Sequence, residues 1–249
     1  MASSSKIKVL AITCKLGAVS FKQLHRIFNS DFHRVHLYRL LNGLMKKGYI
    51  KRVSLPLRIQ GAFIATDAGR QIVYGKMSLR DFNTKEQELY HTLAVGNAVI
   101  EFSQYSNIKN ITVEHELGSA QLNELIVDRR PDAILTVSKN NIATKIALEV
   151  ELSRKTEERI EKILAAYDVS FSSNLHCKGV VIVVYPNDTY KLYSRLLLKR
   201  SKELREKVLL IRPNELIQLK EDTFGKRLAP VTFNVTPMVQ SNMHSIIGI

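Results

Sequence analysis

The chain has 249 residues, 45% of them apolar, and carries 37 Lys and Arg against 23 Asp and Glu, a formal net charge of +14. Length and apolar content suffice for one or two ordinary cores, and two distant cysteines, Cys14 and Cys177, with no Cys or His at zinc-ligand spacing exclude a disulfide framework or a zinc finger. No apolar run approaches the roughly 20 residues a spanning helix needs and no charged-then-apolar segment opens the chain, so the expectation is a cytoplasmic protein with no membrane partner.

The charge is unevenly placed. Residues 1–80 hold 15 Lys and Arg against Asp31 and Asp67, while the rest of the chain holds 22 against 21. Such asymmetry is what a domain that neutralises phosphates carries, although basic surfaces also meet anionic membranes. Along this basic third the pattern predicts three helices. The first covers 6–16 around Val9, Leu10, Ala11 and Ile12. The second covers 21–28, with Ser20 as its N-cap. The third starts near residue 30; its seam is Leu37, Leu40, Leu41 and Leu44, and Gly48 closes it as a C-cap glycine. Strands at 49–52 and 62–66 then form a hairpin around Pro56 and Gly61, and a short helix follows Asp67, Ala68 and Gly69.

Helix, helix, longer helix, hairpin is the order of a winged helix-turn-helix, and the run from Leu44 to Arg52 followed by Ile64 to Arg70 resembles that superfamily. The third helix would enter the major groove of duplex DNA. Away from the leucine seam its wheel leaves Val35, Tyr38, Arg39, Asn42 and Lys46 outward, with Arg34 and His36 on the flanks. Arg39 and Asn42 are the base-reading candidates, because Arg pairs bidentately with guanine and Asn with adenine. Lys51, Arg52 and Arg58 would touch phosphates from the wing.

Residues 76–84 read as a linker. A helix over 85–104 follows, with Leu89, Leu93, Val99 and Ile100 as its buried candidates and His91, Asn97 and Glu101 as its notable polar residues; Glu101 is expected on a solvated face. Strands are predicted at 111–117, 132–137, 143–152, 180–185 and 208–212, with helices at 156–167 and 188–204. The run from Val180 to Tyr185 lacks alternation, as a strand buried on both faces should. Asn140 and Asn141 mark a hairpin turn. It brings Asp132 near the end of the strand in which Ile146, Leu148, Val150 and Leu152 point one way and Ala147, Glu149 and Glu151 the other. Like charges crowded on one face need a compensating cation or proton, so the pair suggests a divalent metal site with Lys155 as a further charged partner. The plainer reading is an antiparallel strand with one wet face and a Pro-Asp turn.

The series Pro131, Asp132, Glu149, Glu151 and Lys155, continuing through Arg159, Ile163 and Tyr167, resembles the PD-(D/E)xK nuclease superfamily and, within it, the plasmid replication-relaxation proteins and MobC-type relaxases. The resemblance implies an α/β (α+β) chain: a winged helix-turn-helix over 1–78, a restriction-endonuclease-like mixed sheet flanked by helices over 84–220, and a tail over 221–249. It implies a metal-dependent endonuclease that nicks one strand at a plasmid transfer origin. Asp132, Glu149 and Glu151 would hold Mg²⁺ or Mn²⁺, and Lys155 would stabilise developing charge. Its partners would be double-stranded DNA and a relaxosome accessory or coupling protein. One position departs from the pattern: Glu151 stands where the superfamily usually has Lys, so the lysine role passes to Lys155 or is lost. If it is lost, the chain is an inactive DNA-binding relaxosome or replication accessory. A winged-helix transcription regulator with a ligand-sensing or dimerising second domain is the third alternative. No His-x-His motif supports a histidine-triad relaxase.

Overall fold

The computed structural model describes residues 2–55, 61–75, 85–118, 124–173, 175–219 and 221–227. Arg58, the linker at 76–84 and most of the expected tail lie outside them. The chain is mixed α/β and divides into two compact units, one running through Ile100 and the next beginning at Glu101. Among the described residues no helix is long and apolar enough to cross a membrane.

The first unit contains α1 (Ala2–Leu16), β1 (Ala18–Ser20), α2 (Phe21–Phe28), α3 (Arg34–Lys46), β2 (Ile50–Val53), β3 (Ala62–Ala65), α4 (Asp67–Tyr74) and most of α5 (Glu86–Phe102). Its sheet has the order β1-β3-β2 and is antiparallel throughout. The strand β1 is too short to carry an alternation, which is why the sequence pattern misses it. Ser20 caps α2 through a reciprocal box with Gln23: each side chain bonds the other's backbone N–H, at 2.8 and 3.2 Å. The Gln23 amide also donates to the Leu93 carbonyl and the Asn97 side chain of α5. The expected third helix begins four residues late, because Asp31 and Phe32 donate back to the Phe28 carbonyl in a closing turn and His33 becomes the N-cap. It ends as expected. Gly48 takes φ +71°, with Gly48 N–H on Met45 and Tyr49 N–H on Leu44, the paired bonds of a Schellman cap. The four seam leucines are buried, each contributing about 1.5–3 kcal/mol.

A second glycine is required by a close approach. Thr66 caps α4, donating to the Gly48 carbonyl at 2.6 Å and accepting from Gly69 N–H at 3.2 Å, and this draws α4 against the end of α3. A Cβ on Gly69 would collide with the Tyr49 carbonyl oxygen.

The second unit is a five-stranded sheet in the order β4-β5-β6-β7-β8. Strands β4 (Ile108–Val113), β5 (Ala133–Lys139) and β6 (Ile142–Glu151) form an antiparallel meander; β7 (Cys177–Val184) and β8 (Val208–Ile211) add in parallel. Asn140 and Asn141 turn the β5–β6 hairpin with φ of 51° and 63°, the positive pair a two-residue hairpin needs. The crossovers are α6 (Glu157–Ser172) between β6 and β7, and α7 (Asn187–Leu198) plus α8 (Lys202–Lys207) between β7 and β8. Two helices thus replace the single one expected over 188–204; Ser201 interrupts the run and accepts from Leu204 N–H as a new N-cap. The strand expected to continue to 117 stops at Val113 and tightens into a 3₁₀ turn, Glu114–Glu116.

Helices α6 and α7 cover one sheet face, where Ile160, Ile163, Leu164 and Tyr167 meet Ala147, Val180, Ile182, Tyr193 and Leu196. From Ala147 to Glu151 every residue of β6 is buried, whichever way it points. The acidic face is therefore not a wet one, and its charges must be answered inside the protein.

Candidate functional site

Two arrangements are candidates for function. They lie in different units and are described separately.

In the first unit α3 turns its seam inward and leaves Arg34, Val35, His36, Tyr38, Arg39, Asn42 and Lys46 exposed, as do Lys51 and Arg52 on β2. Every sequence-nominated side chain here that falls within the described residues is on the surface. The N-terminal half of α3 is braced on α2 by aromatic contacts. Tyr38 stacks on Phe21 with ring centres 4.0 Å apart and planes 15° from parallel, and the Arg34 guanidinium lies 5.5 Å from the centre of the Phe21 ring. His36 meets Phe32 at 5.5 Å, and Phe32 meets Phe28 at 5.2 Å. The brace fixes the side chains that flank Arg39 and Asn42 on the helix surface.

The second unit holds the acidic strand. Glu149 and Glu151 are each 5% exposed on the face covered by α6 and α7. Glu149 is gripped by Arg129: Nε donates to Oε1 at 2.6 Å and Nη2 to Oε2 at 2.8 Å. The Tyr167 hydroxyl of α6 donates to the same Oε1 at 2.5 Å. Glu151 pairs with Lys155 through Oε2 at 3.0 Å and accepts the Tyr193 hydroxyl of α7 on Oε1 at 3.1 Å. Asp132, half-buried just ahead of β5, accepts the Val150 N–H at 2.7 Å, which ties it to the strand between the two glutamates. Each glutamate thus has one cation and one tyrosine.

Burial pushes the Glu149 carboxyl up to about 7, against the pull of Arg129 and with a further push from the Asp132 charge. Burial alone would lower Arg129, but the charge and hydrogen bonds of Glu149 more than offset it and leave the guanidinium above its usual range. Tyr167 and Tyr193 are raised by burial and then by their glutamates, so both stay protonated donors. At 0% and 1% exposure neither is placed to attack a DNA phosphate. The thiols are equally withdrawn: burial pushes Cys14 up to about 12 and raises Cys177.

The fold brings Asp132, Glu149, Glu151 and Lys155 together at one end of the sheet, as the sequence pattern implied. It adds Arg129 and Tyr193, which the pattern did not single out, and gives Tyr167 a donor's role. Proximity of Arg129 to Asp132 in sequence was the one available signal. Glu101 departs from expectation: it is buried, and it pairs with Arg227 at 2.8 Å beside Gln104 instead of facing solvent.

This arrangement answers its carboxylates with side-chain cations, without calling on a divalent ion. Mg²⁺ sits about 2.1 Å from its ligand oxygens, while both Glu149 oxygens are already taken by the Arg129 fork. Among the described residues no three His, Cys, Asp or Glu side chains converge as a metal-holding group. Compared with protein-family models, curated proteins and solved structures, the chain finds no match.

Proposed function

We propose that the protein binds double-stranded DNA through its first unit, acting as a winged helix-turn-helix with α3 in the major groove, and serves that DNA as a relaxosome or replication accessory. The observation that carries this reading is the α3 surface. Six polar or basic side chains from Arg34 to Lys46, with the apolar Val35 among them, are exposed over a fully buried leucine seam, with Lys51 and Arg52 exposed on the neighbouring strand. The concentration of excess positive charge in residues 1–80 supports it, since phosphate neutralisation needs that charge. In the accessory role the second unit is a nuclease-type sheet whose acidic strand is neutralised internally.

A second reading, metal-dependent nicking of one strand at a plasmid transfer origin, is favoured by the meeting of Asp132, Glu149, Glu151 and Lys155 at one sheet end. The two readings part in a single assay. The full chain is incubated with supercoiled plasmid carrying its candidate origin, with and without Mn²⁺, and binding is followed alongside. Retarded plasmid that stays supercoiled supports the accessory; Mn²⁺-dependent open circles that vanish in Glu149→Gln establish the nickase. Absence of any duplex binding overturns both.

A further inference from the structure

We propose that Arg129 is the resident cation of the acidic strand: its guanidinium holds Glu149 in place of a divalent ion, and the two exclude one another. The proposal rests on the accessory reading above and deepens it. Three features show that the arginine is positioned by the fold. Leu125 and Ile126 are buried in the core beneath α6, and Val127 N–H donates to the Ser170 hydroxyl of α6 at 2.9 Å, which pins the segment. Asp128 then takes a left-handed φ of 48°, turning the chain so that Arg129 enters beside Glu149. Finally, the guanidinium lies 5.9 Å from the centre of the Tyr167 ring while the Tyr167 hydroxyl shares Oε1 with it, so ring, fork and carboxylate form one unit.

The fork engages both oxygens of Glu149 at 2.6 and 2.8 Å and the Tyr167 hydroxyl adds a second donor to Oε1, so three of the carboxylate's roughly four acceptor positions are filled. Lys155 does the same for one oxygen of Glu151. Two side-chain cations, Arg129 and Lys155, answer the two buried carboxylates. A metal could reach Glu149 only after the guanidinium left, and leaving would strip a buried carboxylate of its counter-ion.

Mn²⁺ binding to the full chain, read by loss of the free-ion EPR signal, tests this. In the wild-type protein Glu149→Gln is expected to leave Mn²⁺ binding unchanged. Arg129→Gln should gain a Mn²⁺ site at least tenfold tighter than any wild-type binding, and Arg129→Gln with Glu149→Gln should lose it. If Arg129→Gln unfolds in metal-free buffer, saturating Mn²⁺ should refold it, because binding to the folded state alone shifts the equilibrium. Failure to gain the site, failure to refold, or wild-type Mn²⁺ binding weakened by Glu149→Gln overturns the proposal. Wild-type Mn²⁺ binding that Glu149→Gln weakens, without plasmid nicking, overturns the resident cation and leaves the accessory standing; metal-dependent nicking overturns the accessory itself.

Discussion

The Tyr193 hydroxyl lies 3.1 Å from Glu151 Oε1, joining the second crossover to the last residue of β6. Tyr167 makes the corresponding bond to Glu149 from the first crossover. Removing either hydroxyl leaves a buried carboxylate short of a donor, which costs about 1–3 kcal/mol. Tyr167→Phe and Tyr193→Phe should each lower the denaturation midpoint with an unchanged m-value. A midpoint equal to wild type in both would show that the tyrosines are packed against the glutamates without supporting them.

The raised Glu149 carboxyl has a consequence for pH. Its folded value of about 7 exceeds the ordinary 4.5, so between those values the folded state holds a proton that the unfolded state has released. Stability from this group is complete below about 4.5 and is lost as pH rises toward about 7. Glu149→Gln is expected to flatten this part of the stability profile. Urea unfolding at intervals from pH 5 to 8 measures it; a wild-type protein that gains stability across that window contradicts the sign.

On α3, Arg39→Ala should relax sequence preference, whereas Lys51→Ala on β2 should weaken all sequences about equally and reduce the salt slope by about one. Fluorescence anisotropy with specific and scrambled duplexes at several salt concentrations separates them. Identical behaviour of the two variants would reject the assignment of base-reading to the helix and phosphate contact to the strand.

Gly69→Ala probes the joint between α3 and α4. The added methyl collides with the Tyr49 carbonyl, so the expected loss is more than about 1 kcal/mol despite alanine's better helix propensity. Thermal unfolding reads it, and a stabilised variant would show that the approach of α4 to Tyr49 is relaxed in solution.

Where local pattern and tertiary packing agree, the elements were legible. Leu37, Leu40, Leu41 and Leu44 announced the buried side of α3, Gly48 its end, and Asn140 with Asn141 the hairpin, because periodicity and positive φ are properties of short segments. The interruption at Ser201 was not, since the residues around it continue a helical pattern and only the cap bond reveals the break. Glu101 and Arg227 are distant in sequence, as are Tyr193 and Glu151, so their pairing depends on strand order and crossover, which no window contains. The acidic end of β6 was recognisable, but the identity of its counter-ions was not: a strand pattern shows that charge must be answered and is silent on whether a metal or a guanidinium answers it.

The sheet joins a local meander to parallel strands that need crossovers, and this sets an order of assembly. The β5–β6 hairpin can close as soon as Glu151 has been synthesised, with Glu149 and Glu151 still hydrated; α6 and α7, which carry their tyrosines, emerge afterwards. Desolvation of the acidic pair therefore belongs to a late event, when the crossovers dock. In stopped-flow measurements Tyr193→Phe is expected to accelerate unfolding far more than it slows folding, so the carboxylate–tyrosine contacts govern how long the native state lasts more than how quickly it is reached.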